Sequence, residues 1–161
     1  MVRPVKTEEI DRILEIYASA REFMCRSGNP TQWSGGYPQP ELLLDDIQKK
    51  QLFGIESEDG SRLCGVFALI SGEDPTYGYI DGKWLSDAPY GAIHRIAGDG
   101  TEKGTFKKCL EFARKNYTHL RVDTYKDNYP MQRVIAENGF TYCGIIYLEN
   151  GDPRLAYEWI E

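Results

Sequence analysis

The chain has 161 residues, 41% of them apolar and 27% charged, and carries a formal net charge of −6. That length fits one domain, residues 1–161, able to bury roughly 70% of the surface its unfolded form exposes. The acidic balance excludes the usual nucleic-acid binder, whose clustered Lys and Arg neutralise phosphates; no apolar run nears the ~20 residues of a membrane span and no signal-peptide layout opens the chain, so a cytoplasmic protein without a membrane partner is expected.

Residues 2–5 read as a short strand. Thr7 offers an N-cap, Glu8 and Glu9 suit a first helical turn, and Ile10, Ile13, Leu14, Tyr17 and Met24 keep the spacing of an amphipathic helix. Gly28, Asn29 and Pro30 end it. Residues 31–39 form a loop holding Trp33 and Tyr37, and Pro40 opens a second helix over residues 41–50. Residues 52–57 and 63–70 predict a hairpin around Gly60, followed by a polar and aromatic loop, residues 71–89, with Asp74, Tyr77, Tyr79, Asp81 and Trp84. A strand over residues 90–97 leads through a glycine-rich stretch, 98–104, to a helix over 105–116. A strand over 119–124 follows, then a short helix opened by Asn128 and Pro130 and closed by Gly139. Strands over 140–148 and 154–160 flank the turn signal Asn150-Gly151. The order β-α-α-β-β-β-α-β-α-β-β predicts an α/β fold of the α+β kind, a mixed sheet flanked by helices.

Cys25, Cys64, Cys109 and Cys143 form no C-x-x-C pair, and with only His94 and His119 in the chain no metal cluster is expected. Buried, reduced thiols are the plainer reading. The sharpest local signal is strand, glycine-rich loop, helix across residues 90–116. Such a loop turns backbone N–H groups toward an anion, and the helix N-terminus adds partial positive charge, so a phosphate-bearing ligand is one reading and an ordinary strand-to-helix turn the other. GDGTEKGT lacks the G-K-[ST] ending of a P-loop, and Gly98, Gly100 and Gly104 do not keep G-x-G-x-x-G spacing.

Two segments, IHRIAGDGTEKGTF and DNYPMQRVIAENGF, together with the element order across nearly the whole chain, resemble the GNAT N-acetyltransferase family. The first is similar to that family's fourth strand and pyrophosphate loop, the second to its Asn-led helix ending in Gly-Phe; NPTQWSGGYPQPELLLDDI is similar to a bacterial branch of it. The resemblance implies a GNAT-type fold and transfer of an acyl group from acetyl-CoA to the amine of a small molecule, amino acid or peptide. It implies that Ile96 and Ala97 present backbone groups to the pantetheine arm, that the amides of Lys103, Gly104, Thr105 and Phe106 face the pyrophosphate, and that Asn128 sits near the thioester end. The family's loop usually reads Gln/Arg-x-x-Gly-x-Gly/Ala; here Thr101 and Phe106 hold its first and last places, and Ile135 stands where many members carry a Tyr acid. These departures favour the alternative, a non-catalytic CoA-binding or partner-binding module on the same fold.

Direct attack on a thioester needs a neutral amine, a polarised carbonyl and a proton route. His94, on the strand beside the expected thioester, is the candidate general base, since imidazoles ordinarily titrate at about 6.5; a His bonded within the sheet is the alternative. Arg95 points to the opposite face, to a carboxylate or to the cofactor phosphates. Tyr129 and Tyr142 are the candidate acids by sequence proximity, and Cys143 the candidate thiol. Trp33, Tyr37, Asp81 and Trp84 make either an amine pocket or a lid over the core. His119 reads as a surface residue, and the closing strand pair, ending in RLAYEWIE, could extend a sheet across a homodimer.

Overall fold

A computed structural model describes residues 1–161. In chain order the elements are β1 (Val2–Pro4), α1 (Ile10–Arg26), α2 (Pro40–Gln48), β2 (Leu52–Glu56), β3 (Leu63–Ser71), β4 (Asp81–Gly82), β5 (Gly91–Gly98), α3 (Thr105–Asn116), β6 (His119–Thr124), α4 (Tyr129–Glu137), β7 (Thr141–Tyr147) and β8 (Pro153–Ile160). The strands form one eight-stranded sheet in the order β1-β2-β3-β5-β6-β8-β7-β4. Every pairing is antiparallel except β5 with β6, so the expected mixed sheet is present.

Helices cover both faces, and the strand in the middle shows why. β3 is buried from Leu63 through Leu69, because its alternate residues enter different cores. Val66 and Ala68 join Ile13, Ile16, Tyr17 and Leu43 beneath α1 and α2. Phe67 and Leu69 join Leu110, Ile135 and Phe140 beneath α3 and α4. A smaller cluster, Tyr77, Tyr90, Ala92, Ile146 and Ala156, lies under the segment between β3 and β5. Cys64, Cys109 and Cys143 are buried and Cys25 is exposed.

Local signals act as expected at most ends. Pro40 opens α2, and Asn128 Oδ1 accepts the Met131 N–H at 3.2 Å to cap α4. Thr7 does not cap α1: it lies in a single 3₁₀ turn, Thr7–Glu9, where Glu9 Oε2 accepts the Lys6 N–H at 2.9 Å while its carboxylate pairs with Arg3. The acidic side chain thus satisfies the backbone N–H ahead of the turn, at Lys6, while Thr7 makes no side-chain cap.

One expectation of an element needs correction. The stretch read as loop, residues 71–89, contributes β4, which pairs with β7 through Asp81↔Ile145 and Gly82↔Gly144. Two residues carry no hydrophobic period, so the strand left no trace in the pattern. It exists because the chains meet glycine to glycine: a Cβ on Gly82 would collide with Cys143 O, and one on Gly144 with Asp81 O. Within the closing strand pair β8 is internal, bonded on one side to β6 and on the other to β7, and β4 covers the outer edge of β7 only at Ile145 and Gly144.

Gly144 has φ +145, a conformation that side chains rarely adopt, in addition to the collision. Gly144→Ala should therefore detach β4 and cost about 1–3 kcal/mol. Urea denaturation should show the loss, and amide exchange should accelerate selectively around residues 80–84.

Candidate active site

The parallel pair β5–β6 is short. It runs from Gly91↔Leu120 to Ile93↔Val122 and stops, after which the two strands separate. On its other side β5 leaves register with β3: Ala68 pairs with His94 and Val66 with Ala97, so Arg95 and Ile96 together face Phe67. Arg95 takes φ +52, a left-handed backbone that a long side chain adopts only when its surroundings enforce it. Tyr17 donates its hydroxyl to Arg95 O at 2.7 Å, and the guanidinium bonds Asp46 through Nε at 3.0 Å and Nη2 at 2.9 Å. Arg95 thus meets a carboxylate, one of the two partners expected for it, but not on the opposite face: His94 sits across from Ala68 of the core under α1 and α2, and the slipped register turns Arg95 toward Asp46 of α2 on that same side.

A cleft of ≈480 Å³ opens where the strands part, with residues 93–96 on one side and 122–124 on the other. His94 lines it, half-buried. Its Nε2 lies 2.8 Å from Asp74 Oδ2 and its Nδ1 3.9 Å from Asp123 Oδ2. Burial raises the Asp74 carboxyl, but hydrogen bonds from His94 and Thr76 outweigh it and bring the group down to about 2. An ionised Asp74 can only accept, which assigns the proton to Nε2 and leaves Nδ1 as the ring's lone pair. Tyr77, fully buried with its hydroxyl pushed well up by burial and by Asp123, donates to Asp123 Oδ2 at 2.6 Å. Asp74 and Tyr77 lay within the aromatic loop and Asp123 on the β6 strand; no spacing marked any of them as partners of a histidine on another strand.

Of the residues expected at a cofactor, Ile96 and Asn128 line the cleft, while Ala97 belongs to the core beneath α1. The Asn128 side chain is divided between the α4 cap and Gln32, whose Oε1 accepts from Nδ2 at 2.9 Å, tying the Trp33 loop to α4. Lys103, Gly104, Thr105 and Phe106 stand beyond the cleft, at the start of α3. Gly104 has φ +81 with open space where a Cβ would sit, and Lys108 N–H makes the first helical bond, to Gly104 O. The amides of Thr105, Phe106 and Lys107 therefore precede the ladder. The Phe106 ring is buried against Phe140 in the core and does not obstruct them. Thr101 serves the loop itself: it bonds Asp99, whose carboxylate also takes Arg12 and Arg62 at 2.6 Å each. Glu102, an acid in a loop read as an anion cradle, is drawn aside by Glu58 N–H at 2.7 Å and Lys108 Nζ at 2.9 Å.

The aromatic group divides. Trp33 and Tyr37 line the cleft, with Trp33 packed edge-on to Tyr17. Asp81 is exposed in β4, and Trp84 lies under the Arg121 guanidinium, 3.9 Å from its ring centre; neither reaches the cleft. Tyr129 and Tyr142 are 68% and 53% exposed and also lie outside it, on the first residue of α4 and on β7, so proximity along the chain did not become proximity in space. Ile135 is fully buried. Burial, with Glu158 nearby, pushes the Cys143 thiol up to about 11, which keeps it protonated and unfit to carry an acyl group. His119 is buried at 3% exposure rather than at the surface. Its Nε2 lies 2.6 Å from Glu158 Oε1, which also accepts from Arg121 Nε at 2.9 Å, and its Nδ1 faces Ala88 O at 3.1 Å. Arg121 reaches Ser86 O and Glu158 accepts the Leu85 N–H, so this polar network pins the β4–β5 segment to the sheet.

The architecture is that of an open mixed sheet parted at its one parallel pair, with a polar cleft at the parting and an anion-ready helix start beyond it. Solved structures share the fold. An acetyltransferase of the GNAT family from Streptococcus agalactiae is 30% identical, with TM-score 0.88 over 100% of this chain and 95% of that one. A GNAT-family acetyltransferase from Listeria monocytogenes is 20% identical, with TM-score 0.73 over 100% and 94%. A ribosomal-protein-alanine N-acetyltransferase from Brucella melitensis shares the fold at 15% identity and TM-score 0.66, over 100% and 99%. Neither a family model nor a curated protein matches the sequence. The chain belongs to the GNAT acetyltransferase family and is an enzyme of acyl transfer.

Asp46→Ala should cost about 3–5 kcal/mol, because it strands the Arg95 cation at a left-handed backbone position; chemical denaturation reads this directly. A second outcome follows from pH. Burial raises the Asp99 carboxyl, yet hydrogen bonds from Thr101, Arg62 and Arg12 bring it from 3.8 down to about 2. A folded-state value below the unfolded one contributes stability in full above about pH 4 and loses it as pH falls toward 2. The stability gap between the protein and Asp99→Asn should be constant near neutrality and shrink through that window in urea titrations.

Proposed function

We propose that residues 1–161 form one cytoplasmic GNAT domain that transfers an acetyl group from acetyl-CoA to the amine of a small acceptor, with His94 as general base. The observation that carries this reading is the His94 imidazole in the parting of β5 and β6, its Nε2 on the ionised Asp74 and its Nδ1 left to accept. The residues present fit the donor. The amides ahead of the α3 ladder and the open Gly104 suit its diphosphate. Acetyl-CoA supplies the activated thioester. Ile96 and Asn128 border its reactive end, and Trp33 and Tyr37 border the acceptor.

His94 Nδ1 takes the proton as the amine attacks. Asp74 holds the ring tautomer, and Asp123 faces the positive charge that forms at 3.9 Å. Neither Tyr129 nor Tyr142 is near enough to reprotonate the thiolate, which leaves readily without an acid. Closing both reactants between the parted strands supplies orientation, an effect of roughly 7–11 kcal/mol when the geometry is right.

Acetyl-CoA at about 100-fold its Kd should stabilise the protein by about 2.7 kcal/mol, seen as a raised Tm. His94→Gln should keep that rise and lose about 10²–10⁴-fold in kcat/KM. Absence of both a Tm shift and CoA release across an amine panel would refute the assignment. A Tm shift without release on any amine would instead support a CoA-binding module without catalysis.

A further inference from the structure

The cleft contains a cation that the chemistry above leaves unused. Arg154, on β8, lines it while being only 7% exposed. Its single protein hydrogen bond runs from Nη1 to the neighbouring Pro153 O at 2.9 Å. No carboxylate lies within ion-pair distance of it, in contrast to Arg95, Arg121 and Arg12, each of which is neutralised. The guanidinium carbon lies over the Tyr125 ring, 4.8 Å from its centre, and most of its N–H donors have no protein acceptor. A largely buried cation without a counter-ion is costly, and a planar guanidinium fork matches a carboxylate bidentately.

Its position relative to His94 gives the cation a meaning. Asp123 pairs with Ala156, and Arg154 is the next residue of β8 on that same face, about 7 Å along the strand. The cleft is thus acidic at one end, where Asp74 and Asp123 flank His94, and cationic at the other. Asp152, the remaining carboxylate there, is exposed at the rim and bonded to Asn150, beyond ion-pair reach of Arg154. That polarity complements a molecule carrying an amine and a carboxylate together. Resting on the acyl-transfer reading, the geometry points to an amino acid as the acceptor, its carboxylate held by Arg154 and its amine presented to His94. Polyamines are disfavoured by the same cation, which would repel their second charge.

The test compares matched acceptors: the twenty protein amino acids, β-alanine and 4-aminobutyrate, each against its carboxamide, in a CoA-release assay with the protein and with Arg154→Met. The expected result is a free acid preferred over its amide by 10²-fold or more in kcat/KM. In Arg154→Met that preference should vanish through a fall for the acid, while the amide changes less than about threefold. A second measurement needs no turnover. Calorimetric titration of the corresponding N-acetyl amino acids into the CoA-saturated protein should show binding that weakens at least 30-fold in Arg154→Met. Equal use of acids and amides, equal effects of the variant on both, or no Arg154-dependent binding of any N-acetyl amino acid overturns the inference and leaves acyl transfer intact. An Arg154→Met variant that loses CoA affinity without altering acid-over-amide preference overturns it too, by assigning the cation to the donor. Failure of CoA release on all acceptors, with Arg154-dependent product binding retained, sinks the catalytic reading and supports the carboxylate site.

Discussion

The site depends on one constraint, the refusal of β5 to continue its pairing past Ile93. Two parallel strands would normally zip along their length, burying their amides in each other. Here Arg95 adopts a left-handed backbone, the register with β3 slips, and the strand turns away from β6. Such a kink is unfavourable in isolation, by of order 1–3 kcal/mol, and persists because its surroundings fix it from behind. Tyr17 in α1 holds the carbonyl, and Asp46 in α2 holds the guanidinium. The two helices on one face thus shape a cleft that opens between strands, and the same residues that complete the core position the functional edge.

A second organising element is the segment between β3 and β5. It brings Asp74 to His94 and Tyr77 to Asp123, and it is retained at three places: by β4 pairing with β7, by Tyr90 Oη, which accepts the Asp74 N–H at 2.8 Å, and by the Glu158 network beneath Leu85 and Ser86. Buried charge in this protein therefore does positional work. Glu158, fully buried, joins a histidine, an arginine and a backbone amide, and its group is held below the ordinary carboxyl range because those hydrogen bonds outweigh burial. The charged residues that line the cleft are arranged with less symmetry: carboxylates gather round His94 while Arg154 stands alone.

What the amino-acid sequence determined by itself was the layout. Apolar periods, Pro40, Asn128, Gly139 and the turn at Asn150-Gly151 located the helices and all strands but one, because those signals act over a few residues and need no partner. The glycine-rich start of α3 was legible for the same reason, and His94 stood out as a titratable group on the strand beside it. Tertiary structure decided the rest. β4 arises from two glycines, 62 positions apart in the chain, that meet only when β7 is in place, and no local window of sequence holds both. Tyr129 and Tyr142 lay near the motifs along the chain yet face away from the cleft, whereas Asp74, Asp123 and Arg154 are far apart in sequence and converge through strand order. His119 looked peripheral until β8 supplied Glu158 beside it. Local propensity fixes elements; which side chains share a cleft is set by sheet order and register, and these are properties of pairs of strands rather than of any single one.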